Sequence, residues 1–150
     1  MALPTHIDLQ IVTPDRQVVR ERVDEVEVPG SEGYFGVLPG HTPLLAALGI
    51  GELWYRKGAE KRYVAIAFGF AEVLPDSVTI LAELAERAED IDAARAETER
   101  ARAEERIPRG GPEPEVAQAR TARAKALNRL QVASRIGVNP GGLKQVKAQG

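Results

Sequence analysis

"FGFAEVLPDSVTILAELAERAEDIDAARAETERARAEERI", Phe68 to Ile107, changes its hydrophobic period partway along, and that change divides the chain. Up to about Leu84 apolar residues recur every second position, as in a strand with one buried face. Val64, Ile66, Phe68 and Phe70 fall on one side with small Ala65, Ala67 and Gly69 on the other, and Val78 and Ile80 repeat the alternation. From Ala85 to Ile107 there is neither glycine nor proline and nearly every residue is a strong helix former, so this segment reads as a helix of about 20 residues, roughly 30 Å long.

Upstream, Ile7, Leu9 and Ile11 alternate with Asp8 and Gln10, and Val26 and Val28 with Glu25 and Glu27. Pro14-Asp15, Pro29-Gly30, Lys57-Gly58 and Pro75-Asp76 punctuate the runs as turns. Short strands at this spacing without intervening helices predict an antiparallel sandwich or barrel over residues 1–84. Downstream, "PRGGPEPE" breaks the helix, because proline lacks the N–H and glycine costs backbone entropy. A second helix is expected from Val116 to Ile136, making residues 85–137 a two-helix hairpin. Residues 138–150, starting within "GVNPGG", read as a frayed C-terminal extension. The fold class is α+β.

The hairpin is poor in large apolar residues. Its first helix has only Ile91 and Ile107, its second Val116, Leu127, Leu130, Val132 and Ile136, and alanine fills most of the remainder. An alanine seam lets helices approach closely but buries little area, and at ~25 cal/mol per Å2 it grips weakly. Such a hairpin is expected to detach easily.

The chain's 150 residues, 43% hydrophobic and 28% charged, suffice for one ordinary core with an appendage. No window approaches the ~18 apolar residues of a membrane span, and "MALPTHIDLQ" lacks the features of a secretory signal. A cytoplasmic location is therefore the default expectation, with any membrane attachment made through other chains. The absence of cysteine excludes disulfides, thiolate zinc sites and thiol catalysis. The net charge of −2 conceals an asymmetry: residues 1–84 carry 7 basic against 12 acidic groups, whereas residues 115–150 carry 7 against 1. That basic end has no aromatic residue to stack bases, which favours a protein or phosphate partner over nucleic acid.

Catalysis finds little support. His6 and His41 are the only histidines; His6 stands beside Asp8 at the start of the first strand, and His41 lies in "LPGHTPLL" with no acid or serine in a triad context. Neither has a second metal ligand at helix or hairpin spacing. No glycine-rich phosphate loop is present either, so a nucleotide site would have to be built from side chains. Asp92, Arg95 and Arg102 lie near one face of the first helix, with Glu86 slightly further round. Lys125 and Arg129, four apart on the second helix, could face them. Carboxylates can accept from an adenine amine while guanidinium and ammonium groups meet phosphates. The same row also reads as salt bridges on solvated faces, which is the commoner situation.

The β-rich half with "GYFGVLPGHTPLLAAL", the segment "FGFAEVLPDSVTILAELAERAEDID" and the alanine-rich pair with "ALNRLQVA" together resemble the epsilon subunit of the bacterial F-type ATP synthase, from about Thr5 to about Ile136. The resemblance implies a non-catalytic rotor subunit of a proton- or sodium-translocating synthase, peripheral on the cytoplasmic face of the cell membrane. Its flattened sandwich would contact the gamma subunit and the c ring. Its hairpin would lie folded down, or extend into the alpha/beta head and block ATP hydrolysis.

The resemblance further implies an ATP site between the folded helices, through a motif intact here as Ile91-Asp92-Ala93-Ala94-Arg95-Ala96. Glu86, Arg102 and Arg129 stand at further contact positions of the family, and Lys125 stands where ATP-binding members have arginine, keeping the charge but losing the fork. Regulatory MgATP is the only cofactor implied, and no metal site is expected. Pro39, Gly40 and His41, with Tyr34, are implied to lie near the c-ring and gamma contact, although some relatives carry an acid where Tyr34 stands. Gly33, Gly36 and Gly40 would permit the bends that Pro39 and Pro43 fix, with Leu44, Leu45 and Leu48 anchoring the segment in the sandwich or at its partner face. Rival readings are a stand-alone β-sandwich adaptor and a nucleotide sensor outside any synthase.

Overall fold

The computed structural model describes residues 3–107 and 113–136. Its strands are β1 (Ile7–Val12), β2 (Gln17–Val23), β3 (Glu25–Gly30), β4 (Gly33–Val37), β5 (Leu44–Lys57), β6 (Glu60–Leu74) and β7 (Ser77–Arg87). A 3-10 turn, Ala88–Asp90, leads to α1 (Ala93–Arg106), and α2 is Glu113–Ala133. The strands form one sheet in the order β2-β1-β7-β6-β5-β3-β4. All neighbours are antiparallel except β1 and β7, which run parallel and join the first strand of the chain to the last. Ile7, Leu9, Ile11, Val19 and Val23 from one end of the sheet share a single buried cluster with Val26, Val28, Leu53 and Tyr55 from the other. The sheet thus wraps on itself as a sandwich, the expected α+β architecture with one parallel pair added.

The long strands β5, β6 and β7 change their buried face at a common level. Leu53 and Gly51 are buried in β5 and then Leu48; Val64 and Ile66 in β6 and then Ala71 and Val73; Val78, Ile80 and Ala82 in β7 and then Ala85. Leu48 pairs with Gly69 and Gly69 with Ala82, so the slip crosses three neighbouring strands without disturbing register. Phe68 and Gly69 carry it with positive φ, 61° and 127°. A side chain at Gly69 would put its Cβ 2.0 Å from the Leu81 carbonyl oxygen. Phe70, expected on the buried side with Val64 and Ile66, is instead 57% exposed. Simple alternation could not reveal the slip, because it depends on the positive-φ pair.

The period change also falls later than Leu84. β7 continues to Arg87, since Ala85, Glu86 and Arg87 pair with Ile66, Ala65 and Val64. The helix expected from Ala85 begins only at Ala93, with Asp92 as its N-cap accepting from the Arg95 amide at 3.0 Å. Strong helix formers here yield to ladder hydrogen bonds along a long central strand, a tertiary override of propensity. At the other break, Glu113–Glu115 belong to α2 rather than to the connection. Pro114 is tolerated because the amide it lacks would be unpaired in a first helical turn. The rest of the expected turn, residues 108–112, and the extension 138–150 with Gly137 lie outside the described residues.

α1 and α2 run antiparallel, as the cross-pairs Glu104 to Arg123 and Glu99 to Arg129 require. Their seam is small: Ala96, Ala103, Val116, Ala119, Ala126 and Val132 are the buried helical residues. α2 lies against the outer face of the central strands. Val132 is fully buried in a cluster with Ala65 and Ala88, against which Tyr63 and Ile91 pack. Asn128 Nδ2 donates to the Gly51 carbonyl at 2.9 Å, and Arg135 Nε meets Glu52 Oε2 at 3.0 Å.

Candidate functional site

The groups singled out on the helices converge where β7, α1 and α2 meet. Glu86 points outward from β7 because its neighbour Ala85 turns into the sandwich core. Arg129 of α2, its side chain 18% exposed, reaches Glu86 through Nε at 2.7 Å from Oε1, and Nη2 donates to Oε2 at 3.3 Å. Arg129 Nη1 donates to Glu99 Oε2 at 2.9 Å, and Arg95 Nε donates to the other oxygen of Glu99 at 3.1 Å. The result is a chain of charges, Glu86, Arg129, Glu99 and Arg95, that ties a strand to both helices. Arg129 Nε is too poorly aligned for a hydrogen bond, and it is the one buried side-chain nitrogen without one among the described residues.

Of the seven residues proposed for nucleotide, the structure therefore gathers Glu86, Arg95 and Arg129 into one network. Lys125 lines a crevice of about 20 Å3 with Glu86, Arg129 and Asn128, and its Nζ sits 5.5 Å from the centre of the Phe68 ring. That crevice has the room of roughly one water molecule, so it is too small to hold a nucleotide itself. Asp92 is engaged as the helix cap, Ala96 is buried, and Arg102 is exposed with no ion pair among the described residues. Sequence reasoning missed Glu99, Asn128 and Arg135. Glu99 was detectable as the acid four residues after Arg95; nothing in sequence marks Asn128 as a donor to strand carbonyls.

A second ion network zips the helices further along. Arg100 bonds Glu97 and, at 2.5 Å, Glu104, whose other oxygen accepts from Arg123 Nε at 3.1 Å. Hydrogen bonds from Arg100 and then Arg123 hold the Glu104 carboxyl below its ordinary value, and Arg100 does the same for Glu97.

The other proposed surface is a pinned loop. Gly40, with φ of 87°, donates its amide to the Pro75 carbonyl at 2.7 Å, fastening the segment to the β6–β7 turn. His41 N–H donates to Leu38 O at 3.1 Å, and its Nδ1 donates to Thr42 O at 2.6 Å, fixing the tautomer. His41 thus caps a turn, as a loop histidine without a triad should. Pro39 is half-buried in the same turn. Tyr34 reaches across β3, and its hydroxyl accepts the Glu52 amide at 3.1 Å; a Cβ at Gly51 would stand 2.5 Å from that oxygen. Leu48 anchors the following strand at 4% exposed, whereas Leu38, Leu44, Leu45 and Leu74 are exposed apolar residues around this end. His6, just before β1, bonds Asp24 at 3.2 Å rather than Asp8. No group of three metal-ligating side chains occurs among the described residues.

A self-wrapped sandwich with a helical hairpin docked on its outer face defines a two-part chain. Residues 6–88 match the family model described as ATP synthase, Delta/Epsilon chain, beta-sandwich domain, and residues 89–134 the one described as ATP synthase, Delta/Epsilon chain, long alpha-helix domain. An ATP synthase epsilon chain of Solibacter usitatus is 50% identical over 126 residues, 83% of this chain and 94% of its own. One of Syntrophobacter fumaroxidans is 51% identical over 129 residues, 86% of this chain and 96% of its own. Among solved structures, a chain of the Euglena gracilis mitochondrial ATP synthase superposes with a TM-score of 0.77 at 26% identity, covering 89% of this chain and 84% of that one. A chain from the Tetrahymena thermophila central stalk and c-ring structure shares the fold at 0.62 and 12% identity, covering 88% of this chain and 99% of that one. The chain belongs to the ATP synthase delta/epsilon family, as an epsilon chain.

Proposed function

We propose that the chain is a non-catalytic rotor subunit of a proton- or sodium-translocating F-type ATP synthase, held peripherally at the cytoplasmic face of the cell membrane by the complex. Its sandwich couples the c ring and the gamma subunit to the alpha/beta head, and its hairpin inhibits ATP hydrolysis when it leaves the sandwich and extends. The observation that carries this reading is the thin attachment of the hairpin: among the described residues a small apolar cluster around Val132, the Asn128 amide, the ionic links of Arg129 and Arg135, and the cation–ring contacts of Lys125 and Arg135 hold it to the sheet. The pinned loop through Pro39, Gly40 and His41, with Tyr34 and the exposed leucines beside it, supplies a firm apolar surface for the c-ring and gamma contact. Truncation after Asp90, which spares all of β7, is expected to raise ATP hydrolysis by the reconstituted complex while the subunit still assembles. Unchanged hydrolysis would remove the inhibitory role and leave the assembly role.

Regulatory MgATP is proposed to bind between the folded helices, favouring the docked hairpin, with Arg129, Arg95, Arg102 and Lys125 toward phosphate and Glu86 and Asp92 toward the nucleoside. The meeting of Glu86, Arg95 and Arg129 in one network supports the location. Calorimetric titration of the full chain with MgATP is expected to release heat; none at millimolar nucleotide would remove this part.

A further inference from the structure

The network that would receive a nucleotide already contains an anion. Glu99 presents one carboxylate oxygen to Arg95 and the other to Arg129, and Arg129 spends the rest of its fork on Glu86. Two carboxylates balance the two guanidinium groups within this network, and the Lys125 side chain beside it adds a positive charge. Each Glu99 contact lies where a phosphate oxygen would lie if the same arginines bound one. α1 and β7 each contribute one of Arg129's two carboxylates, so α2 is held to both without any ligand.

We propose that Glu99 is an internal counter-ion of the candidate nucleotide site: it occupies Arg129 and Arg95 in the ligand-free chain, holds the hairpin docked by itself, and must be displaced before phosphate can bind. The displacement step rests on the nucleotide reading above; the holding step does not. Arg129 Nε, 2.7 Å from Glu86 Oε1 but poorly aligned with it, leaves this guanidinium incompletely satisfied, with a donor for a better-placed oxygen. Breaking one partner of a half-buried pair exposes the cost of the charge left behind, so Glu99 should matter more than exposed carboxylates on the same helix.

The test uses the full chain, whose lack of cysteine permits clean double labelling at Glu72→Cys on the sandwich and Arg120→Cys on α2. Energy transfer between the two dyes reports docking, with and without MgATP. Glu99→Gln keeps length and helix propensity. Without nucleotide it is expected to raise the undocked fraction roughly tenfold, the order set by losing one partner of such a pair, and saturating MgATP should restore docking. The unsubstituted chain should be docked with or without MgATP. Glu97→Gln, which loses a contact only to Arg100 of its own helix, should behave like the unsubstituted chain. A Glu99→Gln chain as fully docked as the parent would overturn the proposal, as would an equal effect of Glu97→Gln. Undocking by Glu99→Gln that MgATP fails to reverse would uphold the holding role and instead defeat the nucleotide reading.

Discussion

In the sandwich, Ile7, Leu9, Ile11, Leu53, Ile66 and Ile80 are sealed from solvent; among the described residues of the hairpin, Val116 and Val132 are the only buried ones larger than alanine. A sealed aliphatic side chain contributes about 1.5–3 kcal/mol, an alanine much less. The hairpin compensates with charge: Arg129 with Glu86 and Glu99, Arg123 with Glu104, Arg135 with Glu52. Ion pairs add little net free energy but specify geometry, and they re-form with other partners or with water. One sequence thus builds a part with a sealed apolar core and a part held largely by charge, and the proposed switch requires that difference.

The contrast predicts where damage falls. Gly69→Val should have the largest effect, because its φ is 127° and a Cβ would strike the Leu81 backbone; we expect a loss of about 4 kcal/mol or more in denaturant unfolding. Ile66→Ala should cost the sandwich about 2–5 kcal/mol in the same measurement. Asn128→Ala should leave sandwich unfolding unchanged and loosen the hairpin, costing docking about 0.5–1.5 kcal/mol for each hydrogen bond lost to the Gly51 and Ile66 carbonyls. Protease cutting within α2 without loss of Trp54 fluorescence would show that; loss of both signals together would erase the contrast.

Acid should also discriminate the two parts. The Glu104 carboxyl is held below its ordinary 4.5 in the folded chain, so its contribution is complete above that pH and fades as pH falls through the lowered value. Helix pairing should therefore weaken below about pH 4.5, seen as a fall in helical circular dichroism that precedes any change in Trp54 fluorescence. The sandwich has its own acid-sensitive clamp: the Gly58 amide, donating at 2.7 Å, holds Asp24 below its ordinary value. Its apolar core should keep it folded through that loss. The smallest effect is expected for His41→Ala. Its ring bonds only the adjacent carbonyl, so stability should change by less than about 0.5 kcal/mol, with coupling in the assembled complex modestly reduced. Loss of folding would make His41 structural.

Much of this division was legible in the sequence. Alternation located the strands through Val26, Val28, Val64, Ile66, Val78 and Ile80, and the alanine-rich stretch marked the weakly packed helices. The point of change was not legible, because Ala85, Glu86 and Arg87 favour helix in isolation and become strand only through pairing with Val64, Ala65 and Ile66. The face slip at Phe68 and Gly69 escaped for a related reason: a positive φ leaves no period of its own. At the candidate site, charge type and helical spacing led to Glu86, Arg95 and Arg129. They could not show that Glu99 already fills the arginines, since that contact joins residues thirty positions apart.

Native-state hydrogen exchange on the full chain tests the central claim most directly. Amides of α1 and α2 are expected to exchange through a common local opening at a free energy well below that of β5, β6 and β7, with the strands exchanging only on global unfolding. Equal protection of helices and strands would mean that the hairpin does not open separately from the sandwich, and would contradict the account.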